Sequence, residues 1–509
     1  MDQVQLLVVD LGSQYTLVIG RTLREIGYRS IVLSPMKAEQ WLKRNKPKGI
    51  ILSGGSASVY DQNAPQPPRQ VLKAGVPILG ICYGMQWLAK KFGGKVEPHP
   101  ESREYGLARV TLNTKNQLFL RCIDDATDVW ASHGDSVRVL PKGFVWIGLS
   151  HPNRSYAAME SPGRKIWGVQ FHPEVTQTQE GKRILENFAG IICQCEVDWE
   201  PSDVVKEMQK EVLQAVGDAK VLIGFSGGVD STTLSAILAP VLGKRFRAVT
   251  IDTGALREGE LQEIVAAAKA AKVHLKVVRA AARFQKAIGH TADAETKRQR
   301  FKKLYGSILD EEARQFGAAF IAQGSLATDI IESGGVGQAA LIKSHHNVGL
   351  NLVCQELHPF RNLFKYEVRE LAAAVGLPQV TVNRQPFPGP GLFLRVVGKA
   401  PRPERLAIVR WADAQVRTIL QRHNLWGEIS QCIVALICVP TVGIKGDGRV
   451  YKPMIVVRTV KTSDFMTVNG FQLPADVRSE ITSTVTRHSE IVRVVYDETN
   501  KPPATTEME

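Results

Sequence analysis

The 509-residue sequence has no apolar run near the roughly 20 residues that a membrane-spanning helix needs. Its first residues, Met1–Val4, lack the basic stretch and the small-residue cleavage site of a signal peptide. The seven cysteines are scattered, and only Cys193 and Cys195 lie close together. These absences disfavour a membrane protein and a disulfide-stapled secreted protein. They predict a chain of the reducing cytoplasm.

The basic charge has no accompanying nucleic-acid motif. The formal net charge is +14, yet the sequence contains no long Lys/Arg block and no RNA-module signature. A basic chain also suits small anionic nucleotides as ligands. We therefore expect neither nucleic acid nor a membrane among its partners.

The chain is long enough for two to four domains. Short β-branched strands alternate with helical stretches, which predicts parallel sheets covered on both faces. A linker at 195–201 and a Pro/Gly-rich stretch at 386–391 suggest boundaries. We predict two parallel-sheet α/β domains, 1–197 and 198–385, followed by a small α+β domain, 386–509. The predicted strands are 6–10, 50–53, 77–81 and 166–171, then 221–225, 247–252, 274–278 and 318–322, then 433–439, 454–460 and 491–496.

A cysteine lies on a predicted sharp turn in the first domain. Gly80-Ile81-Cys82-Tyr83-Gly84 stands where an apolar strand meets a predicted helix. Glycines on either side permit a strained turn that lifts the thiol clear of the sheet. The helix N-terminus favours a thiolate there. The pentapeptide by itself leaves an inert core thiol as an open alternative.

Two further segments supply partners for Cys82. His172 and Glu174 follow another apolar strand, where the imidazole could take the thiol proton and the carboxylate could orient the imidazole. The turn Ser53-Gly54-Gly55 could present the N–H of Gly55 to an oxyanion, together with the N–H of Tyr83. A plain turn is the alternative for that segment.

These residues resemble the class I glutamine amidotransferase family across the first domain. The likeness includes Asp10–Tyr15 and Ser132-His133-Gly134-Asp135. It implies a thioester mechanism in which Cys82 attacks the side-chain carbonyl of glutamine and His172 protonates the departing ammonia. One departure is Ser56, where the family usually has proline after the two glycines.

The second domain has a glycine-rich loop between a predicted strand and helix, Ser226-Gly227-Gly228-Val229-Asp230-Ser231-Thr232. Its backbone N–H groups and the helix N-terminus suit phosphate oxygens, and the hydroxyls add donors. Asp230 could help to hold Mg²⁺. The loop is not a Walker A motif, because G-x-x-x-x-G-K-[ST] is absent here.

This loop resembles the PP-loop of the ATP pyrophosphatase family, whose members cleave ATP between the α- and β-phosphates. The likeness implies that residues 226–232 bind ATP, and that Asp252 at the next strand end also belongs to the ATP site. Thr253 replaces an asparagine that is common in the family.

Further segments resemble the GMP synthetase (glutamine-hydrolysing) family along the whole chain. They are 322–325 with 329–333, 342–349, 384–392 and 501–507. The resemblance implies conversion of xanthosine 5′-monophosphate (XMP) to GMP with glutamine, ATP and Mg²⁺, and a homodimer formed through the third domain. It assigns Arg395, Lys501 and Glu507 to XMP. Lys343 is a candidate for the pyrophosphate charge, with a solvated surface lysine as the alternative. Thr441, Thr506 and Met508 depart from the family pattern.

Two other functions remain as alternatives. A PP-loop enzyme that modifies RNA would need catalytic cysteines near the loop, and Cys354 has no cysteine close to it in sequence. A pseudoenzyme that keeps the fold without turnover is suggested by the C-terminal departures, but the intact Cys82, His172 and Glu174 argue against it.

Overall fold

The structure is a computed structural model, and it describes residues 4–98, 104–122, 125–151, 155–326, 342–343, 354–462, 468–501 and 503–509. For residues 104–105 and 342–343 only the backbone is described. The described residues form two compact units, one up to Asp203 and one from Val204 onward. The predicted segments at 329–333 and 344–349 lie outside the described residues.

The first unit is built on a nine-stranded sheet in the order β2-β1-β3-β4-β11-β10-β9-β6-β7, with β5 and β8 paired separately. Neighbours from β2 to β11 are parallel, and the remaining pairs are antiparallel. The strands are β1 Leu6–Val9, β2 Ser30–Leu33, β3 Gly49–Leu52, β4 Ile78–Ile81, β5 Lys95–Pro98, β6 Glu104–Leu112, β7 Ala126–His133, β8 Asp135–Val139, β9 Val145–His151, β10 Tyr156–Ser161 and β11 Ile166–Val169. The helices are α1 Thr16–Glu25, α2 Pro35–Leu42, α3 Gln70–Lys73, α4 Tyr83–Lys91 and α5 Gly181–Glu186, the last continued by a π-helical turn, Asn187–Ile192.

Strand β1 shows why the parallel part of this sheet is buried on both faces. Leu6 and Val8 belong to one hydrophobic cluster, while Leu7 and Val9 belong to another. Successive side chains of a strand point to opposite faces, so a continuous apolar run needs cover on both sides. The unbroken apolar strands of the sequence predict this arrangement.

The second unit contains a six-stranded sheet in the order β14-β13-β12-β15-β17-β16, parallel except for β16. A second sheet runs β18-β19-β20-β21, and β22 also pairs with β20. The strands are β12 Lys220–Gly224, β13 Phe246–Asp252, β14 Leu275–Arg279, β15 Ala318–Ala322, β16 Ile342–Lys343, β17 Gln355–Leu357, β18 Val396–Val397, β19 Gln431–Lys445, β20 Gly448–Lys461, β21 Asn469–Gly470 and β22 Arg493–Asp497. The helices are α6 Pro201–Val216, which begins just before the division between the units, α7 Val229–Leu242, α8 Glu260–Ala270, α9 Ala281–Ile288, α10 Ala294–Phe316, α11 Lys365–Ala374, α12 Gln379–Val382, α13 Pro403–Arg422 and α14 Ala475–Val485.

One hydrophobic cluster runs through this second unit. It includes Leu222 and Val249 of the parallel sheet and Leu436 and Ile455 of the second sheet. The predicted boundary at residue 385 falls within this unit, and the division there stays a prediction. The parallel sheets and the mixed C-terminal sheet confirm the predicted α/β class. Among the described helices, none is long and apolar enough to cross a membrane.

The hairpin of β19 and β20 is longer than its predicted strands at 433–439 and 454–460. It continues to a turn at Gly446, and its outer part exposes Val442, Ile444 and Tyr451. These residues lack the buried side that gives a strand its hydrophobic alternation. The hydrophobic pattern that predicts a strand therefore ends where the side chains of the hairpin stop being buried.

Candidate active sites

Cys82 occupies a strained turn between β4 and α4. Its backbone has φ +49° and ψ −106°, in a region that residues other than glycine seldom adopt. Gly84 has no room for a side chain, because a Cβ there would lie 2.4 Å from the carbonyl oxygen of Leu52. Gly80 is equally confined, since its Cβ would meet the backbone of Gly84 at 2.6 Å. The two glycines thus allow the strand and the helix to approach closely around the cysteine.

His172 and Glu174 follow β11 and form a buried pair. The His172 Nδ1 lies 2.8 Å from Glu174 Oε1, and the two residues are 3% and 4% exposed. The His172 backbone N–H donates to Trp130 O, and Thr178 Oγ1 donates to His172 O at 2.6 Å. The ring of Tyr15 packs edge-on at 5.0 Å between centroids. The imidazole is therefore fixed on several sides.

The electrostatic surroundings of His172 favour its charged form. Burial lowers the pKa of His172, but the Glu174 carboxylate and the hydrogen bonds with Cys82 and Glu174 outweigh it. The pKa of His172 is raised well above its ordinary value. A histidine that keeps its proton in contact with a cysteine suits a thiolate–imidazolium pair.

Two more groups contact the Cys82 sulfur. Gln170 Nε2 and the carbonyl oxygen of Ser132 each lie 3.8 Å from Sγ. Gln170 was not predicted from the sequence. Its position directly after β11 and two residues before His172 is the signal that could have found it.

Gly55 and Tyr83, the residues of the two predicted oxyanion donors, lie beside each other. A Cβ on Gly55 would stand 3.3 Å from the Tyr83 ring and 2.6 Å from Leu11 O, so the Gly55 backbone is closely packed. Tyr83 is the first residue of α4, and its N–H has no acceptor within the helix. Gly84 N donates to Ser53 O at 3.1 Å, which ties the Gly-Gly turn to the cysteine turn.

In the second unit, the predicted phosphate loop joins β12 to α7. Ser231 Oγ accepts the backbone N–H of Ser226 at 3.2 Å and lies 3.1 Å from Ser226 Oγ. Gly227 has φ +70°, and a Cβ there would lie 2.9 Å from Ile264 Cγ1. Gly228 N donates to Ser226 Oγ at 3.3 Å. The loop is curled around its own hydroxyls immediately before the N-terminus of α7.

The acidic and hydroxyl side chains of this loop retain free hydrogen-bonding capacity. Asp230 Oδ2 accepts from Lys365 Nζ at 2.5 Å, whereas Asp230 Oδ1 and Thr232 Oγ1 are buried without a partner in the described part of the chain. Asp252, at the end of β13, accepts the N–H of Gly254 at 3.0 Å. Lys365, which begins α11, belongs to no recognisable motif and was not predicted from the sequence. The side chain of Lys343 is outside the described residues.

Arg395 and Glu507 meet in the interior of the second unit. Arg395 is 0% exposed, and its guanidinium donates to Asp413 Oδ1 at 2.9 Å and to Glu507 Oε1 at 3.3 Å. Gln431 Nε2 donates to the same Glu507 oxygen at 2.8 Å. Burial lowers the pKa of Arg395, but Glu507 and Asp413 more than compensate and raise it. Arg395 therefore stays charged and holds the Glu507 carboxylate in place.

Glu507 and Lys501 are the other two residues predicted to bind XMP. Glu507 Oε2 is buried and has no hydrogen-bond partner among the described residues. Lys501 pairs through its backbone with Val468, with N···O distances of 2.8 and 3.1 Å. Gln431 was not identified from the sequence, because an isolated glutamine at the start of a strand carries no pattern.

Three family models match successive parts of the chain. A family model described as Glutamine amidotransferase class-I matches residues 7–191, one described as Asparagine synthase matches 206–298, and one described as GMP synthase C terminal domain matches 418–508. A GMP synthase [glutamine-hydrolyzing] of Shewanella loihica is 40% identical over 99% of both chains. A counterpart in Thermus thermophilus is 43% identical over 99% of this chain and 100% of its own.

The chain belongs to the glutamine-hydrolysing GMP synthase family. This confirms the predicted family and the prediction that the chain is an enzyme of this class. Cys82, His172 and Glu174 lie in the part matched by the amidotransferase model, and residues 226–232 lie in the part matched by the asparagine synthase model. Arg395 lies outside all three matched ranges, while Lys501 and Glu507 lie within the C-terminal one.

Proposed function

We propose that the chain forms GMP from XMP, with glutamine as the nitrogen donor and ATP as the activating co-substrate. The observation that carries the proposal is the buried trio of Cys82, His172 and Glu174 in a chain that also has a PP-loop. A glutaminase site releases ammonia, and an ATP-using site consumes it. Family membership along the full length supports the same pair of half-reactions.

In the first half-reaction, the Cys82 thiolate attacks the carboxamide carbon of glutamine. The N–H groups of Gly55 and Tyr83 stabilise the resulting oxyanion. His172 gives its proton to the leaving nitrogen, so ammonia departs and a glutamyl thioester remains. His172 then takes a proton from water, which attacks the thioester and releases glutamate and the Cys82 thiolate. Glu174 keeps the imidazole oriented throughout.

In the second half-reaction, the loop 226–232 binds the β- and γ-phosphates of ATP. Its backbone N–H groups and the N-terminus of α7 face these anions, and Ser226, Ser231 and Thr232 add hydroxyl donors. The C2 oxygen of XMP attacks the α-phosphorus and pyrophosphate leaves. Ammonia then adds at C2 and AMP leaves, which gives GMP. We assign Lys343 to the pyrophosphate charge and Asp252 to the edge of the ATP site.

The carboxylate of Asp230 is suited to be a ligand of Mg²⁺. Its Oδ1 is buried without a partner in the described ranges, and Mg²⁺ prefers carboxylate oxygens and phosphates. Within those ranges, no three His, Cys, Asp or Glu side chains gather as a metal site, which agrees with an ion held chiefly by phosphates. Bound there, Mg²⁺ would neutralise phosphate charge.

For XMP, we assign Arg395, Lys501 and Glu507. We propose that Glu507 Oε2, which is buried without a partner among the described residues, accepts an N–H of the xanthine base, since a buried carboxylate oxygen needs a donor. Arg395 acts through Glu507, because its own guanidinium is fully enclosed. Lys501 provides a positive charge for the nucleotide phosphate. Thr506 departs from the family pattern, but its backbone carbonyl oxygen accepts a hydrogen bond from Arg458 Nε.

We also propose a cytoplasmic homodimer formed by the outer part of the β19–β20 hairpin. Val442 is 49% exposed, Ile444 77% and Tyr451 67%. Apolar side chains grouped on a projecting hairpin suit a self-complementary contact. Thr441, the departure in this segment, donates to Lys452 O across the hairpin at 3.2 Å.

The test is a reaction of the purified chain with XMP, Mg·ATP and glutamine, followed by separation of the nucleotides. We expect GMP, AMP, pyrophosphate and glutamate in equal amounts. Ammonium salt should replace glutamine and yield no glutamate. An absence of GMP with both nitrogen donors, from protein that still binds ATP, would exclude the proposal.

A further inference from the structure

Arg458 lies on β20, the strand of the second sheet that pairs with both β19 and β22. It is 1% exposed, which is unusual for an arginine unless its charge is paired. Its Nη1 contacts Asp497 Oδ2 at 3.1 Å. The charge of Arg458 is therefore matched within the sheet.

The remaining donors of Arg458 all reach one segment of backbone. Nη1 donates to Thr499 O at 2.6 Å, Nη2 to Thr505 O at 3.2 Å and Nε to Thr506 O at 3.2 Å. These carbonyls stand on both sides of Lys501 and directly before Glu507. The guanidinium of Arg458 thus connects the backbone at residue 499 to the backbone at residues 505 and 506.

The segment closed in this way is attached at two other points. Lys501 pairs through its backbone with Val468, and the Glu507 side chain is held by Arg395 and Gln431. The hydrogen bonds of Arg458 hold the backbone around and between these two points of attachment. A planar guanidinium fork fixes the directions of its acceptors, so it fixes the path of the backbone as well.

We propose that Arg458 is a positioning residue for the acceptor nucleotide. It sets the separation between Lys501, which we assign to the nucleotide phosphate, and Glu507, which we assign to the base. The inference rests on the proposed function of those two residues. The guanidinium of Arg458 is held by the Asp497 carboxylate and three backbone carbonyls, so Arg458 acts through the backbone that carries Lys501 and Glu507.

The experiment compares the full chain with its Arg458→Lys variant in the ammonia-driven reaction. Lysine keeps the charge but has three donors on one nitrogen, so it cannot reach three separated carbonyls. We expect the KM for XMP to rise about tenfold, the loss of one to two hydrogen bonds. The KM for ATP and the kcat at saturating XMP should stay within about twofold. Arg487→Lys, at an exposed position just after α14, is the matched control and should leave all these constants unchanged.

Two further measurements make each outcome decisive. Lys501→Ala and Glu507→Gln test the site itself: if neither raises the KM for XMP, the proposed function of this segment fails. If both raise it and Arg458→Lys does not, the inference about Arg458 is overturned. A parallel loss of XMP affinity, ATP affinity and thermal stability in Arg458→Lys would instead show that Arg458 is merely structural. Hydrogen exchange of residues 499–507 in the variant should be faster, and GMP should protect them less than in the parent chain.

Discussion

His172 Nδ1 and Glu174 Oε1 are 2.8 Å apart, and both residues are almost completely buried. This pair determines the protonation of the histidine. Burial by itself lowers the pKa of His172, so the rise in its pKa depends on the carboxylate first and on the hydrogen bonds second. The activity of the first site should therefore respond to Glu174 in a pH-dependent way.

A Glu174→Gln variant should shift the pH profile of glutamine hydrolysis. Without the carboxylate, burial dominates and the pKa of His172 falls. The imidazolium is then lost at a lower pH, so the alkaline limb of kcat/KM for glutamine should move to lower pH. We also expect a drop in kcat of about 10²-fold. Glu186→Gln on α5 is the control, and an unshifted alkaline limb in Glu174→Gln would contradict the assigned role.

A Cys82→Ala variant should separate the two half-reactions. Loss of the nucleophile should lower glutamine-driven GMP formation by roughly 10³-fold or more. Ammonia-driven formation should remain, because Cys82 has no part in the nucleotide chemistry. The measurement is the GMP rate with each donor, and Cys122→Ala, another buried cysteine of the same unit, is the control. Failure with ammonia, despite normal ATP binding, would show that Cys82 does more.

A Gly84→Ala variant should disturb the cysteine turn. The added Cβ would lie 2.4 Å from the backbone oxygen of Leu52, and a backbone atom cannot move aside as the end of a flexible side chain could. We expect the free energy of unfolding of the first unit to fall by about 1–3 kcal/mol, with loss of glutaminase activity. Thermal unfolding and glutamate release provide the measurements. Gly163→Ala meets no atom within 4 Å and should behave like the parent chain.

A Ser231→Ala variant should weaken ATP use. Its hydroxyl holds the N–H of Ser226, so its loss removes a hydrogen bond worth about 1 kcal/mol that shapes the phosphate loop. The KM for ATP in the ammonia-driven reaction should rise about fivefold. Basal glutaminase activity should not change. Ser307→Ala, on an exposed part of α10, is the control, and equal effects of the two variants would refute the role of Ser231.

An Ile444→Asp variant should dissociate the proposed homodimer. A charge on the exposed side of the hairpin would have to be buried at a self-complementary contact, which is unfavourable. Sedimentation velocity should show the parent at twice the chain mass and the variant at the chain mass. Val265→Asp, another exposed apolar position, should remain dimeric. A monomeric parent at micromolar concentration would rule out this assembly.

Much of the fold follows from local patterns in the chain. The runs at Leu6–Val9 and Val221–Ile223 are apolar without interruption, and they became central strands buried on both faces. The hairpin was predicted too short, because beyond Val439 its residues are only exposed or half-buried, and no fully buried apolar side chain marks the strand. Strand β16, only two residues long, lay below what periodicity can detect.

The sequence by itself determined the two motif sites, because their residues are adjacent in the chain and constrained by glycine. The turn around Cys82 and the loop 226–232 need particular residue types at fixed spacing, so they can be recognised from the local sequence. Only the tertiary structure decided which distant groups complete them. Gln170 reaches Cys82 across 88 positions, Lys365 reaches Asp230 across 135, and Arg395 reaches Glu507 across 112. Such contacts depend on how strands and helices pack, and no short-range pattern records that.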